Sequence, residues 1–201
     1  MNSKNTKSNR NLFIISGPSG SGKTTLTKAL LDKLENIKFT VSYTTRKPRP
    51  HEQDGIDYFF ISNGEFDQRV ANEEFVEWAI VHGNKYGTPL EQINRSFESG
   101  EDLVFDVDVQ GAESLKKKYP EGMFIFVITP SLGELKTRLT KRMTENDVEI
   151  NIRLTEAKKE MEHTDLYDYI INNKCLDRSI DILISVITSV RCRDKDKEYY
   201  D

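Results

Sequence analysis

The 201-residue chain has only two cysteines, Cys175 and Cys192, too few for a disulfide framework and not at a metal-binding spacing. Both read as inert thiols. Histidine is as scarce, and His51, His82 and His163 are scattered, which assigns no metal centre. Long apolar runs are missing too. The longest, such as residues 12–15 and 123–128, fall far short of a bilayer span, and mean hydropathy is −0.61. The opening residues are polar and offer no apolar core of a secretory signal. Nor is there an excess of positive charge. Lys and Arg number 29 against 33 Asp and Glu, a net of −4, which excludes a broad nucleic-acid footprint. The expectation is a soluble, cytosolic protein with no membrane or nucleic-acid partner, whose anionic ligands are small and held in a local basic pocket.

About a quarter of the chain is Leu, Ile, Val or Phe, enough to build a core, and the length suits one domain with room for a small inserted subdomain. Residues 1–11 read as a flexible tail and 191–201 as a charged tail that frays. The apolar run 12–15, bounded by a Gly-rich turn, predicts a buried parallel strand. A helix over 24–34 follows, with Leu26, Ala29, Leu30 and Leu34 on one face. Further strands are expected at 38–42, 75–81, 103–107, 123–128 and 169–171. Helices are expected at 62–71, 89–97, 112–118, 131–142 and 148–162, with Pro89 at the first helical position. Residues 176–190 are dense in β-branched side chains but long enough to read as a helix. This alternation defines an α/β fold with a parallel sheet. Residues 44–56, rich in Arg, Lys and Pro, break it, as a functional loop or a solvated crossing would. Trp78 reads as a core residue.

The segment Gly17-Pro18-Ser19-Gly20-Ser21-Gly22-Lys23-Thr24 fits the P-loop pattern G-x-x-x-x-G-K-[ST]. Its glycines let backbone N–H groups wrap an anion, and the following helix points its positive end at the phosphates. Lys23 would reach the β- and γ-phosphates, and the Thr24 hydroxyl could ligate Mg2+. The strand around residues 103–107 leads into Asp106 and Asp108, which would project from one face. One reading is a ligand to Mg2+-bound water beside the P-loop; the other is a pair of acids at a helix N-terminus. Arg138 and Arg142 share a helix face, and Arg153 follows in the next helix. Such cations could neutralise a transferring phosphoryl group, or could simply be a solvated face.

The residues Ser42-Tyr43-Thr44-Thr45-Arg46-Lys47-Pro48-Arg49, with Glu52, Gly55 and Asp57-Tyr58, are more specific. So are Phe75-Val76-Glu77-Trp78, the stretch from Gly83 to Thr88 (GNKYGT), and Asp106-Val107-Asp108-Val109-Gln110-Gly111. In this order, after the P-loop, they resemble the guanylate kinases over roughly residues 12–183. The resemblance implies a three-layer P-loop fold with a parallel core sheet, an inserted GMP-binding subdomain (about 39–87) and a helical lid (about 135–153). It implies Mg-dependent transfer from ATP to GMP or dGMP, in purine nucleotide metabolism, by a monomer or homodimer. Arg46, Arg49, Tyr58 and Tyr86 would hold the GMP phosphate; Glu77, Ser42, Thr88 and Asp108 would read guanine. Gly17, Pro18, Ser19, Gly20, Ser21, Gly22, Lys23, Thr24 and Thr25 would bind ATP, together with Arg138 and Asn172. Thr24 would ligate Mg2+, and Asp106 would hold it through water. Lys23, Arg46, Arg142 and Arg153 would be the catalytic cations.

The chain departs from the family pattern at Met143, where a glycine is common, and at Ile171-Asn172-Asn173, in place of V-N-D. Two rivals remain on sequence alone. One is a non-catalytic interaction module of the same fold, and the other is a sibling kinase for a different small phosphorylated acceptor.

Overall fold

The computed structural model describes residues 10–141 and 147–193. The chain begins with β1 (Leu12–Ser16), α1 (Lys23–Leu31), β2 (Ile37–Phe39), β3 (Tyr43–Thr44), β4 (Phe59–Phe60) and α2 (Asn63–Ala71). It continues through β5 (Phe75–Val81), β6 (Asn84–Pro89), α3 (Leu90–Ser99), β7 (Asp102–Asp106), α4 (Val109–Lys118) and β8 (Met123–Ile128). Then come α5 (Leu132–Lys141), α6 (Asp147–Glu160), a 3-10 turn (Met161–Leu166), β9 (Tyr169–Asn172) and α7 (Leu176–Arg191).

Five strands form a parallel sheet in the order β2-β7-β1-β8-β9. Alternation along β1 divides the core between its faces. Phe13 and Ile15 join Leu26 and Leu30 of α1 and the Ile180, Leu183 and Ile187 stripe of α7. Leu12 and Ile14 join Ile93 of α3 and Ala112 and Leu115 of α4. The result is three layers. Because every strand runs the same way, β1 and β7 release Gly17 and Val107 at one edge, where ligands of such sheets bind.

A second, four-stranded sheet has the order β4-β3-β6-β5. Its β5–β6 hairpin closes through His82 and Gly83, both at positive φ (49° and 77°), the geometry that matches strand twist in a two-residue loop. A β-bulge between Phe75 and Glu77 sends three consecutive buried side chains to different neighbours. Phe75 stacks on Phe66, Val76 enters the core under the main sheet, and Glu77 turns into the cleft.

The structure corrects several expectations. Of the strand foreseen at 38–42 only residues 38–39 are strand, the end of β2; 40–42 carry the chain out of that sheet to β3 in the other. Pro89 is the N-cap of α3 with ψ 132°, not its first helical residue, and also ends β6. α4 starts at Val109 because the Asp108 side chain accepts from Gly111 N–H and caps it, so Asp108 does not belong to the strand. α6 ends at Glu160, tightening into the 3-10 turn. Trp78 is 44% exposed, on the outer face of β5. Arg142 and Met143 lie outside the described residues, as do 1–9 and 194–201.

Neither described tail end is loose. Arg10 donates to the Phe97 carbonyl oxygen at 2.6 Å and lies over the Phe97 ring. Asp102, buried in β7, accepts from Asn11 N–H at 2.6 Å and from Arg191 Nε at 2.7 Å, joining β1, β7 and the last residue of α7. Replacing Arg191 by Met would leave the buried Asp102 Oδ2 without its cation, while Oδ1 keeps its bonds from Asn11. The expected loss is about 3 kcal/mol of unfolding free energy, read from urea denaturation.

Candidate active site

The P-loop is built where β1 ends. Gly17 has φ 138°, and a Cβ there would lie 2.2 Å from the Val127 carbonyl oxygen, so only glycine passes so close to β8. Gly22, at φ 101°, caps α1, and a Cβ there would meet Asn173 Nδ2 at 2.3 Å. The loop therefore lies against the sheet edge with the N-terminus of α1 behind it, an anion cradle. Lys23 Nζ donates to the Gly17 carbonyl oxygen at 2.6 Å and sits 3.8 Å from Asp106 Oδ1. Thr24 Oγ1 donates to Asp106 Oδ2 at 3.0 Å.

Thr24 and Asp106 thus bring two hard oxygens to one point beside the loop. That donor set fits Mg2+, which keeps waters and substrate phosphates as its other ligands. Among the described residues no group of three or more His, Cys, Asp or Glu could hold a metal by itself.

Across the cleft, the second sheet presents a cationic pocket. Arg46 makes a two-pronged pair with Glu52, at 2.9 and 2.8 Å, and its Nε donates to Tyr86 Oη at 3.1 Å. Its guanidinium lies over the Tyr58 ring. Burial works against the Arg46 charge, but the bond and charge of Glu52 and the Tyr86 neighbour outweigh it and hold its pKa above the usual value. Glu52 also accepts from the Arg49 backbone N–H, at 2.8 Å, so one carboxylate shapes the turn that carries both arginines. Burial raises the Tyr58 phenol well above its ordinary range, with the Asp106 charge adding to it, so Tyr58 stays a hydroxyl donor.

Deeper in, Glu77 is 6% exposed. Its Oε1 accepts from Thr88 N–H at 3.1 Å and Thr88 Oγ1 at 2.5 Å, and Thr88 Oγ1 lies 3.0 Å from Ser42 Oγ. With the Thr88 proton committed to Glu77, Ser42 is the donor in that pair. Burial pushes Glu77 up to about 7, the Asp108 charge adds to it, and the Thr88 bonds pull the other way. Gly111 lets α4 approach: a Cβ there would be 2.8 Å from Glu77 Oε2. Asp108 is also raised, chiefly by burial.

Two arginines reach the P-loop from α5 and α6. Arg153 Nη1 donates to Ser19 Oγ at 2.7 Å. Arg138 instead donates to the carbonyl oxygens of Ser21 and Asn173, at 3.2 and 2.8 Å, and pairs with Glu134, bracing the loop from behind.

One cleft therefore gathers Gly17, Ser19, Gly20, Gly22, Lys23, Thr24, Ser42, Arg46, Arg49, Tyr58, Glu77, Tyr86, Asp106, Asp108 and Arg153. Pro18 and Ser21 are buried under the loop, and Thr88 behind Glu77. Thr25 and Asn172 are exposed and outside the cleft lining, and half-buried Arg138 lies outside it too; Asn173, not Asn172, touches the loop, donating to Ser21 O at 2.9 Å. Sequence reasoning assigned no role to Glu52, Asn173, Glu160 or the His82 side chain. Glu52 stands in the same motif as its partner Arg46, whereas Asn173 and His82 meet Ser21 and Glu156 from distant parts of the chain, which no local pattern marks.

A glycine loop at the carboxyl edge of a parallel sheet, facing a second anion pocket, defines the class as P-loop nucleotide-binding proteins. The guanylate kinase family model matches residues 9–190. The guanylate kinase of Thermotoga maritima is 47% identical over 189 residues, covering 92% of this chain and 91% of that protein. That of Caldanaerobacter subterraneus subsp. tengcongensis is 43% identical over 190 residues, covering 94% and 92%. The crystal structure of guanylate kinase from Anaplasma phagocytophilum has a TM-score of 0.78 at 30% identity, covering 93% of this chain and 89% of that one. The chain belongs to the guanylate kinase family.

Proposed function

We infer that the chain catalyses its family's reaction, passing the γ-phosphoryl group of ATP to GMP, and to dGMP, to give ADP and GDP. The observation that carries this reading is the buried Glu77 carboxylate beside the Arg46, Arg49, Tyr58 and Tyr86 pocket, directly opposite the P-loop. Two guanidiniums and two phenols suit a phosphate dianion. Beyond them, Glu77 Oε2 would accept from two donors on the guanine edge, with Ser42, Thr88 and Asp108 around the remaining edge.

An oxygen of the GMP phosphate attacks the γ-phosphorus in line as the bond to ADP breaks. It is already anionic, so no residue need act as general base. Lys23 and the backbone N–H groups of residues 17–24 hold the donor, and Arg46 and Arg153 neutralise charge on the group in transit. When bound, Mg2+ supplies further neutralisation on the donor phosphates, held by Thr24 and, through water, Asp106.

In this reading the second sheet with α2 is the GMP-binding subdomain and the α5–α6 segment is the lid. Lys28 of α1 pairs with Asp57 at 2.8 Å, the kind of contact that keeps the subdomain closed on the core and water out. An interaction module is disfavoured because Lys23, Thr24, Arg46 and Arg49 all face the same cleft.

ADP formation with GMP, dGMP, AMP, CMP and UMP as separate acceptors tests the assignment; turnover is expected with GMP and dGMP only. Because Glu77 stands near 7 before ligand arrives and two donors would stabilise its ionised form, GMP binding should release a proton close to neutral pH. Titration calorimetry in buffers of different ionisation enthalpy reads that release, and GMP affinity should weaken as pH falls below about 7.

A further inference from the structure

The β5–β6 turn and α6 approach from opposite sides of the cleft and meet at one ion pair. His82 Nδ1 lies 2.9 Å from Glu156 Oε2, an ion-pair distance without hydrogen-bond alignment, and among the described residues that buried oxygen has no hydrogen-bond partner. The turn fixes where the imidazole points, because His82 and Gly83 sit at positive φ between the paired Val81 and Asn84. On α6, Glu156 comes three residues after Arg153, on the same helix face, and Arg153 grips Ser19 of the P-loop.

We propose that His82 and Glu156 are positioning residues, pinning α6 to the GMP-binding subdomain so that Arg153 is seated on the P-loop when that subdomain is closed. The proposal rests on the reading of Arg153 given above. The pair makes closure on the acceptor side and placement of the arginine one event, not two.

The attraction is strongest with the imidazole protonated. Facing His82 are Glu156, Lys159 and Glu160 of α6, Asp108 and Glu113 from the cap and body of α4, and His163 of the 3-10 turn. Carboxylates outnumber cations there. With the ring neutral, only a neutral contact would be left to hold α6.

The test is steady-state kinetics on the full chain from about pH 5.5 to about 8.5, a span on either side of an unperturbed imidazole's range. The variants are His82→Asn, Glu156→Gln, the double variant and His82→Lys, with Arg153→Ala as reference. Asn tolerates the positive φ, so the turn survives. At low pH each single variant should lower kcat about two- to five-fold, as expected for a half-exposed pair. KM for ATP and GMP should change little, and the double variant should be no slower than either single one. The wild-type advantage over His82→Asn should vanish at high pH, whereas His82→Lys should keep the low-pH rate throughout.

Losses that multiply in the double variant, or a kcat–pH profile unchanged in His82→Asn, would overturn the proposal. A lowered melting temperature with that unchanged profile would do the same, since a merely structural contact gives that result. If Arg153→Ala is slow while the His82 and Glu156 variants match wild type, the pair alone fails. If Arg153→Ala itself runs at the wild-type rate, both the arginine's role and the pair's fail.

Discussion

Replacing Lys23 by alanine should lower kcat for phosphoryl transfer about 10³-fold, with the melting temperature close to wild type. The side chain makes no contribution to the apolar core. Its polar contacts are the Gly17 and Pro18 carbonyl oxygens, at 2.6 and 3.5 Å, and Asp106 at 3.8 Å, all at the mouth of the cradle. Removing it therefore leaves the loop, which is set by Gly17 and Gly22, in place. What is lost is a fixed positive charge where negative charge shifts during transfer. Lys23→Arg should also be slow, because a planar fork cannot replace a compact ammonium in so tight a loop. Rates at saturating ATP and GMP, with melting curves on the same samples, check both points.

Glu77→Gln should lower kcat/KM for GMP by about 10³-fold or more and reduce the preference for GMP over AMP. The amide keeps a partner for Thr88 but offers the guanine edge a donor where an acceptor is needed. The same change should raise stability above neutral pH. An ordinary carboxyl ionises near 4.5, whereas Glu77 holds its proton to about 7, so the folded state binds more protons across that window. Stability attributable to Glu77 accordingly falls as pH rises from about 4.5 to about 7 and stays low above it. Glutamine carries no such penalty. Lost activity with a higher melting temperature at pH about 8 is the signature of a group kept for ligand reading at a cost to the fold. Urea denaturation of both proteins on either side of that window measures it.

The elements of the main sheet were legible because their signals are local. Residues 12–15 are continuously apolar, the P-loop pattern adjoins them, and the α7 stripe repeats at helical spacing. The second sheet was half hidden. β6 reads Asn-Lys-Tyr-Gly-Thr-Pro, with no apolar alternation, since Tyr86 and Thr88 serve the cleft while Gly87 makes room for the Phe66 and Phe75 rings. β5 misled in the opposite sense. Trp78 and Ile80 look like core residues but lie on the outer face, exposed. The cleft residues were found by pattern, yet their partners were not. The Arg46–Glu52 fork depends on the turn between them, and Asn173 behind the P-loop and His82 against Glu156 depend on how distant segments fold together, which no single window of sequence contains.

The most direct test of the account follows the label from ATP carrying a radioactive γ-phosphoryl group, incubated with GMP, Mg2+ and the intact chain. The label should appear in GDP, one GDP formed for each ADP, with little free phosphate, and Lys23→Ala should slow the transfer about 10³-fold. Label released as inorganic phosphate, or no turnover despite measurable GMP binding, would contradict it: the first would make the cleft a hydrolase site, the second a binding scaffold.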